Sequence, residues 1–254
     1  MREITRVRFP VTRRWVLGAL RVGHRSSPMT ALTQIDVTEG WERCKADDVS
    51  PTAFIIACVG RAVAAHPEVH AYRDWFGRLV MHRHVDITTM VEIDGPDGVF
   101  PLAHPLRDTD TRTVKDLTHE LREVEANPST GHNGRLVMGW GRILAWVPGL
   151  VGLGYSVARR STRVRQGIGT VSVSSIGMML GGNGFGFGLP TVASISVTVG
   201  GVTERPWVVD GRMEVRRILD LAAQIDHRVV DGAPAARFGA TLRRLLEHPD
   251  LIDW

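Results

Sequence analysis

Apolar and polar residues along this chain recur with two periods, and the switches between them lay out the elements. In "TRRWVLGALRVGHRS", Thr12 stands at a helix start and apolar residues follow at spacings of three and four, which predicts a first helix to about Gly23. "MTALTQIDVTE" changes to period two and reads as a half-buried strand. In "SPTAFIIACVGRAVAAHPEV", Ser50 is the expected N-cap, Pro51 the first helical residue and Pro67 the stop beyond the end. The apolar residues of that segment run nearly all round, so it predicts a central, buried helix.

"GRLVMHRHVDITTMVEI" and "GVFPLAHPLRD" flank "DGPDG", whose Gly and Pro content makes it a turn between two strands. "DTRTVKDLTHELREVEANP" sets Val114, Leu117, Leu121 and Val124 on one helical face. "STGHNG" is the best linker candidate. Beyond a basic, apolar stretch, "GTVSVSSIG", "TVASISVTVGGV" and "RMEVRRILDLAAQID" read as strands and "APAARFGATLRRLLEHP" as a closing helix. Strands and helices mix without a strict βαβα rhythm, which favours an α+β layered sandwich over a doubly wound sheet.

Composition narrows the class. At 254 residues and 43% hydrophobic, the chain suits one large domain or two small ones and can bury a sizeable core; we read residues 1–254 as a single domain. The arginines near the N-terminus are not backed by an apolar run and a small-residue cleavage site, so no secretory signal is expected and a cytoplasmic location is. Cys44 and Cys58 match neither a disulfide framework nor a zinc site and are expected to be reduced, structural thiols. Thirty-one basic against 27 acidic residues leave +4, too balanced for a nucleic-acid footprint. The excess is local. From Asn133 to Arg165 there is no acidic residue, while Arg135, Arg142, Arg159, Arg160, Arg163 and Arg165 all fall there.

The chemistry gathers at "AAQIDHRVVDGAPAARF", where an apolar strand ends in Asp226-His227-Arg228 and passes through Asp231-Gly232 into an alanine-rich helix. A histidine titrates nearest neutrality, so His227 can take a proton from a thiol or hydroxyl, with Asp231 four residues on across a turn. Gly232 is expected to supply a backbone angle other residues resist. The alternative is a well-hydrogen-bonded corner, with Asp226 and Arg228 as an ion-paired frame and Asp231 as a turn-stabilising carboxylate. "GGNGFGFGLP" is followed by no Lys-Ser/Thr and no helix, so it reads as a flexible connection rather than a phosphate cradle. His82, His84 and His104 lack metal-ligand spacing with nearby carboxylates, and no metal is expected.

"DHRVVDGAPAARF" resembles the DHRxxDGA signature of the acyltransferase component of 2-oxoacid dehydrogenase complexes, and more distantly the HHxxxDG motif of chloramphenicol acetyltransferase and of peptide-synthetase condensation domains. "MTALTQIDVTE", "SPTAFIIACVGRAVAAHPEVHA", "VDITTMVEIDGPDGVFPLAHPLRD" and "GTVSVSSIGMML" are similar to further family segments, in the family's order, over about residues 12–132 and 169–250. The resemblance implies a two-layer chloramphenicol acetyltransferase-like sandwich, a mixed sheet with helices packed on it. It implies His227 as general base, Asp231 as its support and Ser174 as the hydroxyl facing an oxyanion. It also implies coenzyme A as substrate, a dihydrolipoamide or similar thiol as acceptor, and a trimer, or a multiple of trimers, in which the histidine faces a neighbour's serine. Ser172 and Ser175 crowd the same stretch.

Two departures from the family stand out. No lipoyl-bearing or subunit-binding module is expected before the core, since neither Lys45 nor Lys115 sits in a DKA-type hairpin; the alternatives are a free acyl-coenzyme A, a lipoyl domain on another polypeptide (a lipoyl-bearing or dehydrogenase protein as partner), or an unrelated acceptor. Residues 134–167 replace a short polar linker with apolar runs broken at Pro148-Gly149 and ending in arginines. They predict a helical hairpin packed on the trimer, an interfacial membrane segment, or a lid over an acyl pocket; neither half reaches the eighteen residues of a spanning helix. An amine or hydroxyl acceptor and a non-catalytic trimeric scaffold are the rival functions.

Overall fold

Branched apolar residues set the sheet. Ile87, Val171, Ile195 and Ile225 lie opposite one another across four strands, and Val173 and Val197 repeat the row two residues on. All six are buried, and because side chains alternate along a strand they commit one face of the sheet to the core. The protein is described here by a computed structural model, which describes residues 12–24, 26–95, 98–127, 149–177, 181–188 and 192–254.

The six-stranded sheet comprises β1 (Pro28–Asp36), β4 (Ile87–Gly95), β5 (Gly98–Leu106), β6 (Val171–Ser175), β7 (Ile195–Val209) and β8 (Arg212–Asp226), in the order β1-β8-β7-β6-β4-β5. β6 runs parallel to both β4 and β7, and the other pairs are antiparallel. A separate ribbon pairs β2 (Tyr72–Arg73) with β3 (Leu79–Val80). β7 and β8 join through Asp210-Gly211, both with positive φ (49° and 78°), the geometry a two-residue hairpin turn requires.

The helices are α1 (Thr12–Gly23), α2 (Thr38–Ala46), α3 (Pro51–Ala65), α4 (Val114–Ala126), α5 (Leu150–Ala158), α6 (Thr162–Ile168) and α7 (Gly232–Glu247). α3 is central, with residues 53–60 all buried, and α2, α4 and α7 pack round it. Val114, Leu117, Leu121 and Val124 all turn inward from α4, and Phe238, Leu242, Leu245 and Leu246 from α7. A capping box between Thr113 and Asp116 starts α4. Ser50 precedes α3 as expected, but its hydroxyl makes no capping bond; its N–H donates instead to Thr118 Oγ1 at 3.1 Å. α2 was not foreseen. It buries only Gly40 and Cys44 and has no continuous apolar face to announce it.

Cys44 and Cys58 are free and buried, and burial pushes the Cys44 thiol up to about 12 and Cys58 well above its ordinary value. The linker candidate at 129–134 and the first part of the 134–167 segment lie outside the described residues. The remainder forms α5 and α6, two short helices rather than one span, with α5 packed on α1. Among the described residues no helix is long and apolar enough to cross a membrane.

Among the described residues no row of helices covers the other face of the sheet. Thr30, Gln224, Ser196, Ser172 and Thr88 form one register line, and Leu32, Ala222, Thr198 and Ser174 the next. Against this face lies the glycine-rich segment, held rather than free: Gly184 N–H donates to Asp220 Oδ2 (2.9 Å), Gly188 N–H to Thr198 Oγ1 (3.3 Å), and Gly201 N–H to the Gly184 carbonyl (3.0 Å). A Cβ on Gly201 would sit 1.9 Å from the Gly182 carbonyl oxygen, so the glycines serve close backbone approach. The expected flexible connection is, over residues 181–188, a strap laid on the sheet.

Asp220 anchors that strap. It is buried and accepts from Gln34 Nε2 (2.8 Å), Arg205 Nη2 (2.5 Å) and Gly184 N–H. Burial pushes its carboxyl up, but these bonds, led by Arg205, outweigh burial and hold it below 3.8. A depressed carboxylate adds stability that is present above its unfolded value and lost as pH falls through the folded one. Asp220→Asn is therefore expected to cost about 1–3 kcal/mol at pH 7 in urea unfolding. The gap from wild type should shrink as pH drops below 3.8. A gap that is constant from pH 7 to pH 2 contradicts this account.

Candidate active site

β8 ends at Asp226, and five residues carry the chain into α7. The turn is tied down by backbone: Asp226 N–H donates to the Ser194 carbonyl (3.1 Å), His227 N–H to the Ser27 carbonyl (2.9 Å), and the N–H groups of Val229 and Val230 return to the Asp226 carbonyl. Val230 is buried beneath, which leaves His227 outward with its ring 52% exposed. Asp231 is 90% exposed, and its carboxylate lies 3.8 Å from His227 Nδ1, an ion-pair distance beyond hydrogen bonding. Asp231 takes an extended conformation (φ −86°, ψ 172°) immediately before α7 and makes no side-chain cap, so the corner does not depend on its carboxylate. Gly232 corrects a further expectation. It is the first residue of α7, and the left-handed backbone angles lie elsewhere, because the extended Asp231 already redirects the chain.

The frame of the turn is electrostatic. Arg228 folds back on Asp226, with its N–H to Oδ1 at 3.2 Å, Nε to Oδ1 at 2.8 Å, and Nη2 against Oδ2. This is the pair expected from sequence. Two further cations come from the 134–167 segment. Arg159 Nη2 stands 3.6 Å from Asp226 Oδ2, and its Nη1 donates to the Val22 carbonyl at 3.0 Å. Arg165 is buried, with its guanidinium 4.2 Å over the Tyr72 ring, and donates to Ser194 Oγ (2.9 Å) and to the Arg159 carbonyl (3.3 Å). Burial lowers Arg165 to about 10 despite the partial support of Tyr72. Burial likewise raises Asp226 above 3.8, opposed by Arg159 and Arg165. Sequence reasoning registered both arginines only as a charge excess. Their partner stands some sixty residues away, and nothing local signals the pairing.

Ser174 sits on β6, half-buried on the helix-free face beside Thr198. Its neighbours are sorted by the pleat: Ser172 shares its face, and Ser175 points to the other. The structure does not bring Ser174 to His227. Hydrogen bonds from Asp226 to Ser194 and from Ser194 to Thr170 mark one line across the sheet. Ser174 is four residues beyond that line and two strands over from β8, a backbone separation of roughly 16 Å. One chain cannot aim both side chains at one atom.

Among the other histidines, His70 is buried with Nδ1 2.8 Å from Thr170 Oγ1, and burial pushes it down to about 4. His104 pairs with Glu120 at 2.8 Å. His84, given no carboxylate by sequence spacing, meets Asp108 and Asp110 at 3.7 Å each, their ligand atoms all within 4.8 Å. Asp110 also accepts from Val85 N–H at 3.0 Å.

Residues 160–253 match the family described as 2-oxoacid dehydrogenases acyltransferase (catalytic domain). The dihydrolipoyllysine-residue acetyltransferase component of the pyruvate dehydrogenase complex of Rickettsia typhi is 25% identical over 218 residues, 85% of this chain and 45% of that one. The chain thus spans less than half the length of the curated relatives it matches over most of its own length. A structure addressing a serine, a histidine and an asparagine in the catalytic mechanism of Azotobacter vinelandii dihydrolipoamide acetyltransferase superposes with a TM-score of 0.73 at 19% identity, covering 98% of this chain and 93% of that one. Chloramphenicol acetyltransferase gives 0.52 at 14%, covering 94% and 96%. The fold is the expected α+β sandwich, and the resemblance carried by the sequence motifs is borne out.

Because Arg165 is the buried link between the segment and the turn, Arg165→Met is expected to leave Ser194 Oγ and the Arg159 carbonyl without their donor. The expected loss is about 2–3 kcal/mol in urea unfolding. Arg163→Met, one helical step away and exposed, should change stability by less than about 0.5 kcal/mol. Equal effects of the two substitutions contradict the assignment.

Proposed function

We infer that this chain, which carries the catalytic-domain fold and the C-terminal signature of the 2-oxoacid dehydrogenase acyltransferases, transfers an acyl group between coenzyme A and a thiol acceptor such as dihydrolipoamide. The observation that carries the reading is the turn itself: a half-exposed imidazole whose backbone is fixed by hydrogen bonds and whose ring nitrogens are spent on no strong bond to a carboxylate. Such a group is free to take a proton.

In the proposed reaction His227 removes the proton of the incoming thiol, whose ordinary pKa of about 8.5 leaves it mostly protonated near neutrality. The thiolate adds to the thioester carbonyl, and the carbonyl oxygen takes up the negative charge. Ser174 donates a hydrogen bond to that oxygen, a contribution of roughly 3 kcal/mol for a fixed donor. The intermediate collapses with loss of the second thiolate, which recovers the proton from His227. Neither a metal nor a covalent acyl-enzyme takes part.

The roughly 16 Å between the two groups within one chain supports a site shared between copies, with His227 of one subunit facing Ser174 of another across their contact. A closed trimer, or a multiple of trimers, is the proposed assembly. The third residue named for the Azotobacter vinelandii enzyme is an asparagine four residues after its histidine, where this chain has Asp231. An ionised carboxylate only accepts hydrogen bonds. At that place it donates nothing to the intermediate.

His227→Ala is expected to lower acyl transfer between acetyl-coenzyme A and dihydrolipoamide by about 10²–10⁴-fold with the assembly intact. Unchanged turnover would refute the general-base role. Ser174→Ala should lose about 10²-fold. Mixing the two inactive variants after dissociation and reassembly should restore about a quarter of wild-type activity, because one site in four then pairs an intact histidine with an intact serine. No recovery in verified mixed oligomers would place both groups on one chain.

A further inference from the structure

We propose that the tip of the β2–β3 ribbon docks this protein onto an anionic phospholipid surface. The ribbon is short, yet its turn is firmly built. Asp74, itself 9% exposed, accepts from the N–H groups of Phe76 and Arg78, both at 2.9 Å, and from Arg78 Nε at 2.8 Å. Gly77 closes the turn at φ +77°. A turn fixed in this way presents its side chains outward. Trp75 is 53% and Phe76 81% exposed, with Leu79 and Met81 exposed beside them. Four large apolar side chains at one tip exceed the scattered exposure of an ordinary surface.

Arginines surround that tip. Arg78 lies 4.9 Å over the Phe76 ring, and Arg160 lies 5.4 Å over the Trp75 ring. A groove of about 670 Å³ runs between the ribbon and residues 160–163 and is lined by Arg78, Arg160 and Arg163. Its one acid, Asp74, is consumed by Arg78. Among the described residues Arg160 and Arg163 meet no carboxylate. Rings that enter the boundary between headgroups and acyl chains, with guanidinium groups at phosphate depth, are the arrangement an interfacial anchor requires. Two copies meeting tip to tip would set these arginines against one another, like charge on like, whereas an anionic surface satisfies both components. An interfacial membrane segment is one of the three readings of 134–167 from sequence; in the proposed surface the arginines come from that segment and the apolar groups from the ribbon.

The surface is independent of the acyl-transfer reading, and its test does not measure acyl transfer. The full chain is floated with vesicles of phosphatidylcholine alone and with vesicles of phosphatidylcholine and phosphatidylglycerol, at low and raised salt. Flotation is expected only with phosphatidylglycerol and should weaken with salt. Trp75→Ser/Phe76→Ser should lower partitioning by about tenfold or more, and Arg160→Glu/Arg163→Glu should abolish it, each with wild-type mass in light scattering. The proposal fails if the wild type does not float, if the ribbon variant floats undiminished, or if that variant lowers the oligomer mass, which would make the tip a contact between copies.

Discussion

A carboxylate partly withdrawn from water must find cations, and the geometry of the turn after β8 follows from where Asp226 finds them. Arg228 approaches from within the turn, and Arg159 and Arg165 approach from a segment that also reaches back to α1 through the Val22 carbonyl. A largely covered charge loses stability when part of its compensation is removed, so these contacts tie the turn, the inserted helices and the N-terminal helix together. His227 inherits that rigidity through its neighbour. Its own ring contributes nothing to the frame, which leaves it available for chemistry.

The sheet divides labour between its faces. One face spends its branched side chains on α2, α3, α4 and α7; the other presents hydroxyls, with a glycine strap fastened by Asp220. A strand hydroxyl placed on that face is held by the ladder on both sides, with little rotamer freedom beyond its own χ1. Such an element suits a fixed donor. The turn bearing His227 lies at the far end of β8, so the strand directions that build the core also keep Ser174 and His227 apart within a chain.

Much of this was legible in the sequence, and the misses share a cause. α3, α4, β6, β7, β8 and α7 follow from apolar periodicity because each buries a continuous face. α2 escapes because it buries only Gly40 and Cys44, and the β2–β3 ribbon because two-residue strands carry no period. His227, Asp231 and the Asp226–Arg228 pair lie within six residues of one another, so a local motif reveals them. Arg159 and Arg165 act over a distance in sequence that no pattern bridges. The three serines were only partly separable: once Val171 and Val173 are taken inward, period two turns Ser175 to the other face but leaves Ser172 and Ser174 together. The strap defeats composition alone, since glycine permits both looseness and close contact, and only the backbone it touches decides between them.

The two cysteines have a consequence for any catalyst of thiol-to-thiol transfer. Such a protein works in the presence of free coenzyme A and dithiols, whose oxidised forms exchange readily with accessible thiolates. Burial pushes Cys44 up to about 12 and Cys58 well above its ordinary value, and both are buried in the helical layer. Neither offers an attacking thiolate at neutral pH. In the proposed transfer between thiols, these two side chains would stay out of mixed disulfides with coenzyme A or a dithiol, inert toward the functional group of the proposed substrates.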